Sequence, residues 1–231
     1  MKKRKILLVT ERRADYSRFK PILRLLREDQ RFEYELCVTG LHLIKSHGYT
    51  INEIVNDGFE IKYQFEMFLE EIDTTGAMVR SLARAINELS KIIESSKPDI
   101  ILSGFDIAAN LAITIAGAHM NIPVAHIQGG EVSGTIDESI RHAMTKFAHF
   151  HFASNDDACN RLIKMGEKKE NIFNVGCPSI DALLAVEDDP KCLERYNLST
   201  PFFLVLQHPV TTEYDDAIGQ MQETIKALKK I

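Results

Sequence analysis

The runs KILLVT (5–10), PDIILS (98–103) and IPVAHI (122–127) are apolar along most of their length, not only on alternate residues. A strand of that kind must be covered on both faces, and this happens almost only in parallel sheets wrapped by helices. Four weaker strand signals join them at 33–39, 60–65, 149–154 and 171–175. Between them the pattern is helical, near 15–28, 49–57, 74–95, 106–119, 137–148, 156–166 and 179–186. In the third of these segments Met78, Leu82, Ile86, Leu89 and Ile93 fall on one stripe at helical spacing. Strand–helix alternation with buried strands predicts an α/β fold, a doubly wound parallel sheet of Rossmann type.

The alternation predicts a first domain over 1–186 and a linker over 187–200, where charge and a proline interrupt the period. PFFLVLQHP (201–209) reads as a new buried strand and 213–231 as a helix with Ile218, Met221, Ile225 and Leu228. One strand and one helix cannot bury a core. Residues 201–231 therefore read as the start of a second α/β domain that is cut short, and a chain so cut is not expected to turn over substrate.

A net charge of −5 argues against a nucleic-acid partner, which needs a strongly basic face. No apolar run is long enough for a membrane helix. The basic start followed by ILLV imitates a signal peptide, but the apolar part is too short, so the expected location is cytoplasmic. Cys37, Cys159, Cys177 and Cys192 contain no C-x-x-C pair and read as reduced thiols.

In open α/β sheets ligands bind beyond the carboxyl ends of the strands. Neither G-x-G-x-x-G nor a Walker motif is present, so no dinucleotide or P-loop site is predicted. TERRADYSRFKP, after the first strand, opens a helix whose free amides, with Arg12, Arg13 and Ser17, would suit a phosphate. A capped helix with exposed arginines is the reading those residues favour. In HIQGGEVSGTIDESIRH (126–142), Thr135 and Glu138 are spaced as a capping box. Asp137 and Arg141 are four apart on one helix face, either a surface pair or a carboxylate and guanidinium facing a cleft. Glu131 has no capping role, and Gly129 and Gly130 before it permit close approach of a ligand. His149 and His151 read as satisfied histidines, not metal ligands, and His42 shows no partner. His208, before a proline at a strand end, is either a proton-transfer group or a turn residue.

RADYSRFKPI, HIQGGEVSGTIDESIRHAMTKFAHFHF, NVGCPSIDAL and LQHPVTT together resemble the hydrolysing UDP-N-acetylglucosamine 2-epimerases of sialic-acid-type pathways. They also resemble the related enzymes that act on UDP-diacetylbacillosamine on the route to legionaminic acid. The resemblance implies the first half of a GT-B-like fold of two Rossmann-type domains, with the active site between them. It implies elimination of UDP with loss of the C2 proton, then addition of water with the opposite C2 configuration. No cofactor and no metal are implied; a UDP-sugar partner and a homo-oligomeric full-length form are. Carried over, Asp137 and Arg141 match the acid and arginine opening the active-site helix, His208 a histidine beside the diphosphate, and Arg13 and Ser17 the nucleotide side. Gln128 stands where relatives have a glutamate, which leaves Glu131 as the expected base and Gln128 as a group that hydrogen-bonds the sugar. Asp106, in SGFD, is displaced by one residue from the family's GDR and is the candidate by proximity. These departures favour a modified sugar of the bacillosamine type. A non-catalytic nucleotide-sugar-binding fragment and one half of a GT-B glycosyltransferase are the alternatives.

Overall fold

The computed structural model describes residues 2–69, 74–134, 136–187, 189, 191–208 and 211–230. The chain divides into two compact units, Met1–Ala185 and Val186–Ile231.

In the first unit the strands are β1 (Arg4–Thr10), β2 (Phe32–Val38), β3 (Tyr63–Gln64), β4 (Ile100–Gly104), β5 (Val124–Ile127), β6 (Phe150–Ala153) and β7 (Ile172–Asn174). The helices are α1 (Arg13–Glu28), α2 (Ile51–Asn56), α3 (Thr75–Ser96), α4 (Ala108–His119), α5 (Ile136–Phe147), α6 (Asp156–Lys164) and α7 (Pro178–Leu184). All ladders are parallel, and the strand order is β3-β2-β1-β4-β5-β6-β7. The order reverses between β1 and β4, which opens a crevice at their carboxyl ends.

Alternate residues of β1 serve opposite cores, which explains why the strand shows no polar alternation. Ile6 and Leu8 join Phe19 and Leu23 of α1 and Ile54 of α2, while Leu7 and Val9 join Leu89 and Ile93 of α3 and Ile113 of α4. On α3 the expected stripe holds at Leu89 and Ile93, which are buried, and at Leu82 and Ile86, which are half-buried against the same core, and shifts by one residue only towards the start of the helix. Ala77, Ser81 and Ala85 are buried with Leu89 and Ile93, whereas Met78 is exposed. Small residues at those positions suit a close approach of α3 to the alanine-rich α4, which also buries Ala109, Ala112 and Ala116. Thr135 lies outside the described residues. Glu138 of α5 does reach back, its Oε2 accepting from the Ser133 amide at 2.9 Å.

The second unit holds a short α8 (Cys192–Arg195), a 3-10 turn over Thr211–Asp216 and α9 (Ala217–Leu228). The strand expected over 201–209 does not form over 201–208, and Pro209 lies outside the described residues. An apolar run becomes a strand only beside a neighbour that takes its backbone hydrogen bonds. This unit contains no strand among its described residues, and Leu204 and Leu206 are 88% and 81% exposed.

Candidate active site

Three loops and one helix converge at the crevice between β1 and β4. Arg141, on the second turn of α5, is only 6% exposed. Its Nη2 donates to Asp106 Oδ2, and its Nη1 lies 3.6 Å from Glu131 Oε2. Asp106 follows β4 and Glu131 follows β5, so one guanidinium draws together the ends of two neighbouring strands. Arg12, after β1, places Nη2 4.0 Å from the other oxygen of Asp106. Arg141 Nε is buried with no hydrogen-bond partner among the described residues. Gln128 Nε2 donates to Glu131 Oε1 at 3.4 Å and to Cys177 Sγ at 3.2 Å. A buried guanidinium against two carboxylates, one of them partly open to water, can orient hydroxyl groups and move a proton.

Below this cluster lies a buried polar network. Glu11 Oε2 accepts from the Ala109 amide at 2.8 Å, in the first turn of α4. Asp15 accepts from the Glu11 and Arg12 amides, both at 2.8 Å, and from Thr10 Oγ1 at 3.0 Å. Thr10 Oγ1 also contacts His42 Nε2 at 3.0 Å, and His42 Nδ1 contacts Thr50 Oγ1 at 2.7 Å. Burial lowers the His42 pKa to about 4, so the ring stays neutral. Burial, opposed by the Ala109 amide and reinforced by Asp15, pushes Glu11 up to about 7. Burial likewise raises Asp15 to about 6 against its three donors.

The Glu11 shift sets a sign for stability. Below its ordinary value of 4.5 the acid is protonated folded or unfolded. Between 4.5 and about 7 the unfolded chain gives up the proton while the folded chain keeps it, so stability falls as pH rises. Glu11→Gln keeps an oxygen for the Ala109 amide and removes the ionisation. It is expected to gain on the order of 3 kcal/mol over the unsubstituted protein at pH 8 and almost nothing at pH 4. Urea midpoints at both pH values read this out; a gain equal at the two would contradict it.

The sequence profile described as UDP-N-acetylglucosamine 2-epimerase matches residues 24–231. The chain belongs to this family. It is 38% identical over 232 residues to a Legionella pneumophila protein named UDP-N,N'-diacetylbacillosamine 2-epimerase (hydrolyzing), covering 97% of this chain and 60% of that one. It is 33% identical to the UDP-N-acetylglucosamine 2-epimerase of Neisseria meningitidis serogroup B, covering 91% of this chain and 55% of the relative. The chain thus spans 55–60% of the length of these two curated relatives. Among solved structures, a UDP-N-acetylglucosamine 2-epimerase from Rickettsia bellii superposes with TM-score 0.76 at 18% identity, over 98% of this chain and 60% of that one. The Neisseria meningitidis enzyme bound to UDP-GlcNAc gives TM-score 0.69 at 21% identity, over 85% and 50%. At such identities the structural likeness speaks for the fold, that of the first half of a GT-B-like 2-epimerase.

Of the residues singled out in the sequence of this 2-epimerase family member, Asp106, Gln128, Glu131 and Arg141 meet in one cluster. Asp137 stands half-buried one turn before Arg141 on α5. Gly129 and Gly130 make the turn into Glu131. A Cβ on Gly130, whose φ is +80°, would lie 2.5 Å from the Ala158 carbonyl oxygen, and one on Gly129 would lie 2.9 Å from His126 Nδ1. Arg13 and Ser17 do not join the cluster. They line a neighbouring cavity of about 660 Å³ with His47, Thr50 and Glu53, and Arg12 borders both places. His208 belongs to the second unit. His151 is held by Glu167 at 3.1 Å and His149 Nδ1 accepts from the Val124 amide at 3.2 Å. Among the described residues no group of three or more metal-ligating side chains gathers, and no helix is long and apolar enough to cross a membrane.

Sequence reasoning passed over Glu11, Asp15, Arg18 and Cys177. Asp15 carried one usable signal, an acid three residues after Arg12 at a helix start, where it can accept the first free amides.

Proposed function

We propose that this chain carries the sugar-side half of the site of a hydrolysing UDP-sugar 2-epimerase, with a 2-acetamido sugar of the diacetylbacillosamine type favoured over plain UDP-N-acetylglucosamine. The observation that carries the reading is Arg141, buried and clasped by the carboxylates of Asp106 and Glu131 from two separate strand ends. The name of the Legionella pneumophila relative supports the choice of sugar.

In this reading Glu131 takes the C2 proton. The C1–oxygen bond to UDP breaks, the electron pair leaves with the diphosphate, and a C1–C2 double bond forms. Water then adds: its hydroxyl joins C1, and a proton returns to C2 on the opposite face. Asp137, on the helix that carries Arg141, is the group assigned to that return. Arg141 and Asp106 hold sugar hydroxyls. Arg13 and Ser17 take the nucleotide side, and His208 the diphosphate.

The test is incubation of the whole protein that carries this chain with each of the two UDP-sugars in deuterium oxide. Free UDP is expected together with a free manno-configured amino sugar bearing deuterium at C2, faster from the bacillosamine substrate. A sugar transferred intact to an acceptor would assign the protein to glycosyl transfer instead, and tight binding without UDP release would leave it a binding domain.

A further inference from the structure

One guanidinium outside the cluster touches the first residue of both loops that supply its carboxylates. Arg18, half-buried on α1, lies over the Phe105 ring, with its central carbon 4.7 Å from the ring centroid. Its Nη1 donates to Gln128 Oε1 at 3.4 Å. Phe105 comes directly before Asp106, and Gln128 opens the turn that leads to Glu131. Both have left-handed backbones, with φ +73° and +59°. For residues other than glycine that conformation is strained, and it persists only where the surroundings hold it. Phe105 is held by burial against Phe19, at 5.1 Å between ring centroids. Gln128 is held through its amide backbone, which donates to the Phe152 carbonyl at 2.8 Å, and through its side chain.

The two ends of the Gln128 side chain are not interchangeable. Its oxygen faces the Arg18 cation and its nitrogen faces the Glu131 carboxylate at 3.4 Å. An amide presents an acceptor to one and a donor to the other, which an ionised carboxylate cannot do. A glutamate at this position would satisfy Arg18 but set a second carboxylate against Glu131. We infer that Arg18 is a positioning residue that acts through Gln128: it fixes the amide so that Gln128 aims Glu131, while its stacking on Phe105 keeps the Asp106 loop at the matching distance. The neutral residue at 128 is then a requirement of having the acid at 131. This inference rests on the epimerase reading above.

Arg18→Met keeps the aliphatic stem and removes both contacts. In the whole protein it is expected to lower the rate of C2 proton exchange by about 10²-fold, the scale of a displacement near 1 Å. Affinity for UDP alone should change less than twofold. Because one of its two contacts is made to Gln128, Arg18→Met should cost at least fivefold less in a Gln128→Met protein than in the unsubstituted one, the remainder being the contact over Phe105, and a double-mutant cycle measures that coupling. Additive losses, or a tenfold loss of UDP affinity with exchange preserved, would overturn the inference, the second by making Arg18 a direct nucleotide contact. Gln128→Glu is expected to recover no exchange. If it matches the unsubstituted protein, the argument from the amide is wrong. Urea unfolding of the same four proteins reads the Arg18–Gln128 contact without catalysis. Coupling there with exchange intact in Arg18→Met overturns the positioning role alone, whereas no exchange in the unsubstituted protein overturns the epimerase reading and this inference with it.

Discussion

Glu131→Gln in the whole protein is expected to slow exchange of the substrate C2 proton by about 10²–10⁴-fold, the range a positioned general base contributes. The substitution is nearly isosteric. It preserves an acceptor for Gln128 and leaves Asp106 on Arg141, so folding should be little disturbed. What it removes is the ability to take up a proton. Proton NMR in deuterium oxide follows the C2 signal directly and separates proton abstraction from UDP release. If Asp137→Asn stops the exchange and Glu131→Gln does not, the roles of the two acids are reversed.

Arg141→Met should be the most damaging single change to the site. The stem volume is kept, so no cavity opens; the loss is one of charge. Among the described residues Asp106, whose side chain is 14% exposed, would keep only Arg12 at 4.0 Å, and Glu131 only the Gln128 amide. Stranding buried carboxylates by removing their cation typically costs about 3–5 kcal/mol. The Glu131 side chain is 28% exposed, so part of its charge is screened by water and the lower end of that range applies. A fall in the urea midpoint with an unchanged slope would show this, with activity lost even where the variant remains folded. An unfolding free energy within about 0.5 kcal/mol of the parent, the usual effect of a neutral surface change, would mean that the clasp does not hold the loops together.

The fold was legible because burial on both faces writes itself into single strands. Leu7 and Leu8 are adjacent in sequence and belong to opposite cores. The same signal misled over 201–208, since an apolar run says that a strand wants covering and cannot say whether a neighbour is there. Asp106, Glu131 and Arg141 could be nominated from loop position, residue type and resemblance. Their mutual contacts could not, because they join positions 35 residues apart for Arg141 and Asp106. The buried network was the hardest part to foresee. Glu11 gave no signal of burial, because the helix whose amide receives it begins almost a hundred residues later. His42 seemed to have no partner because Thr10 and Thr50 come from separate segments. Polar groups that satisfy one another across the fold leave no periodic trace.

The position of β1 has a consequence for the order in which the molecule can be made. Its residues pair with β2 on one side and, on the other, with β4: Ile6 lies beside Ile100 and Leu8 beside Leu102. Parallel strands cannot close as hairpins, so the second neighbour must wait for the intervening chain. Glu11 waits longer, since Ala109 is 98 residues downstream. At the usual pace of synthesis, about 5–20 residues per second, that interval lasts roughly 5–20 s. Throughout it the nascent chain presents an unpaired apolar edge, with an acid beside it that has not yet met its helix. The crevice is therefore assembled late, after the ribosome has released both of its walls.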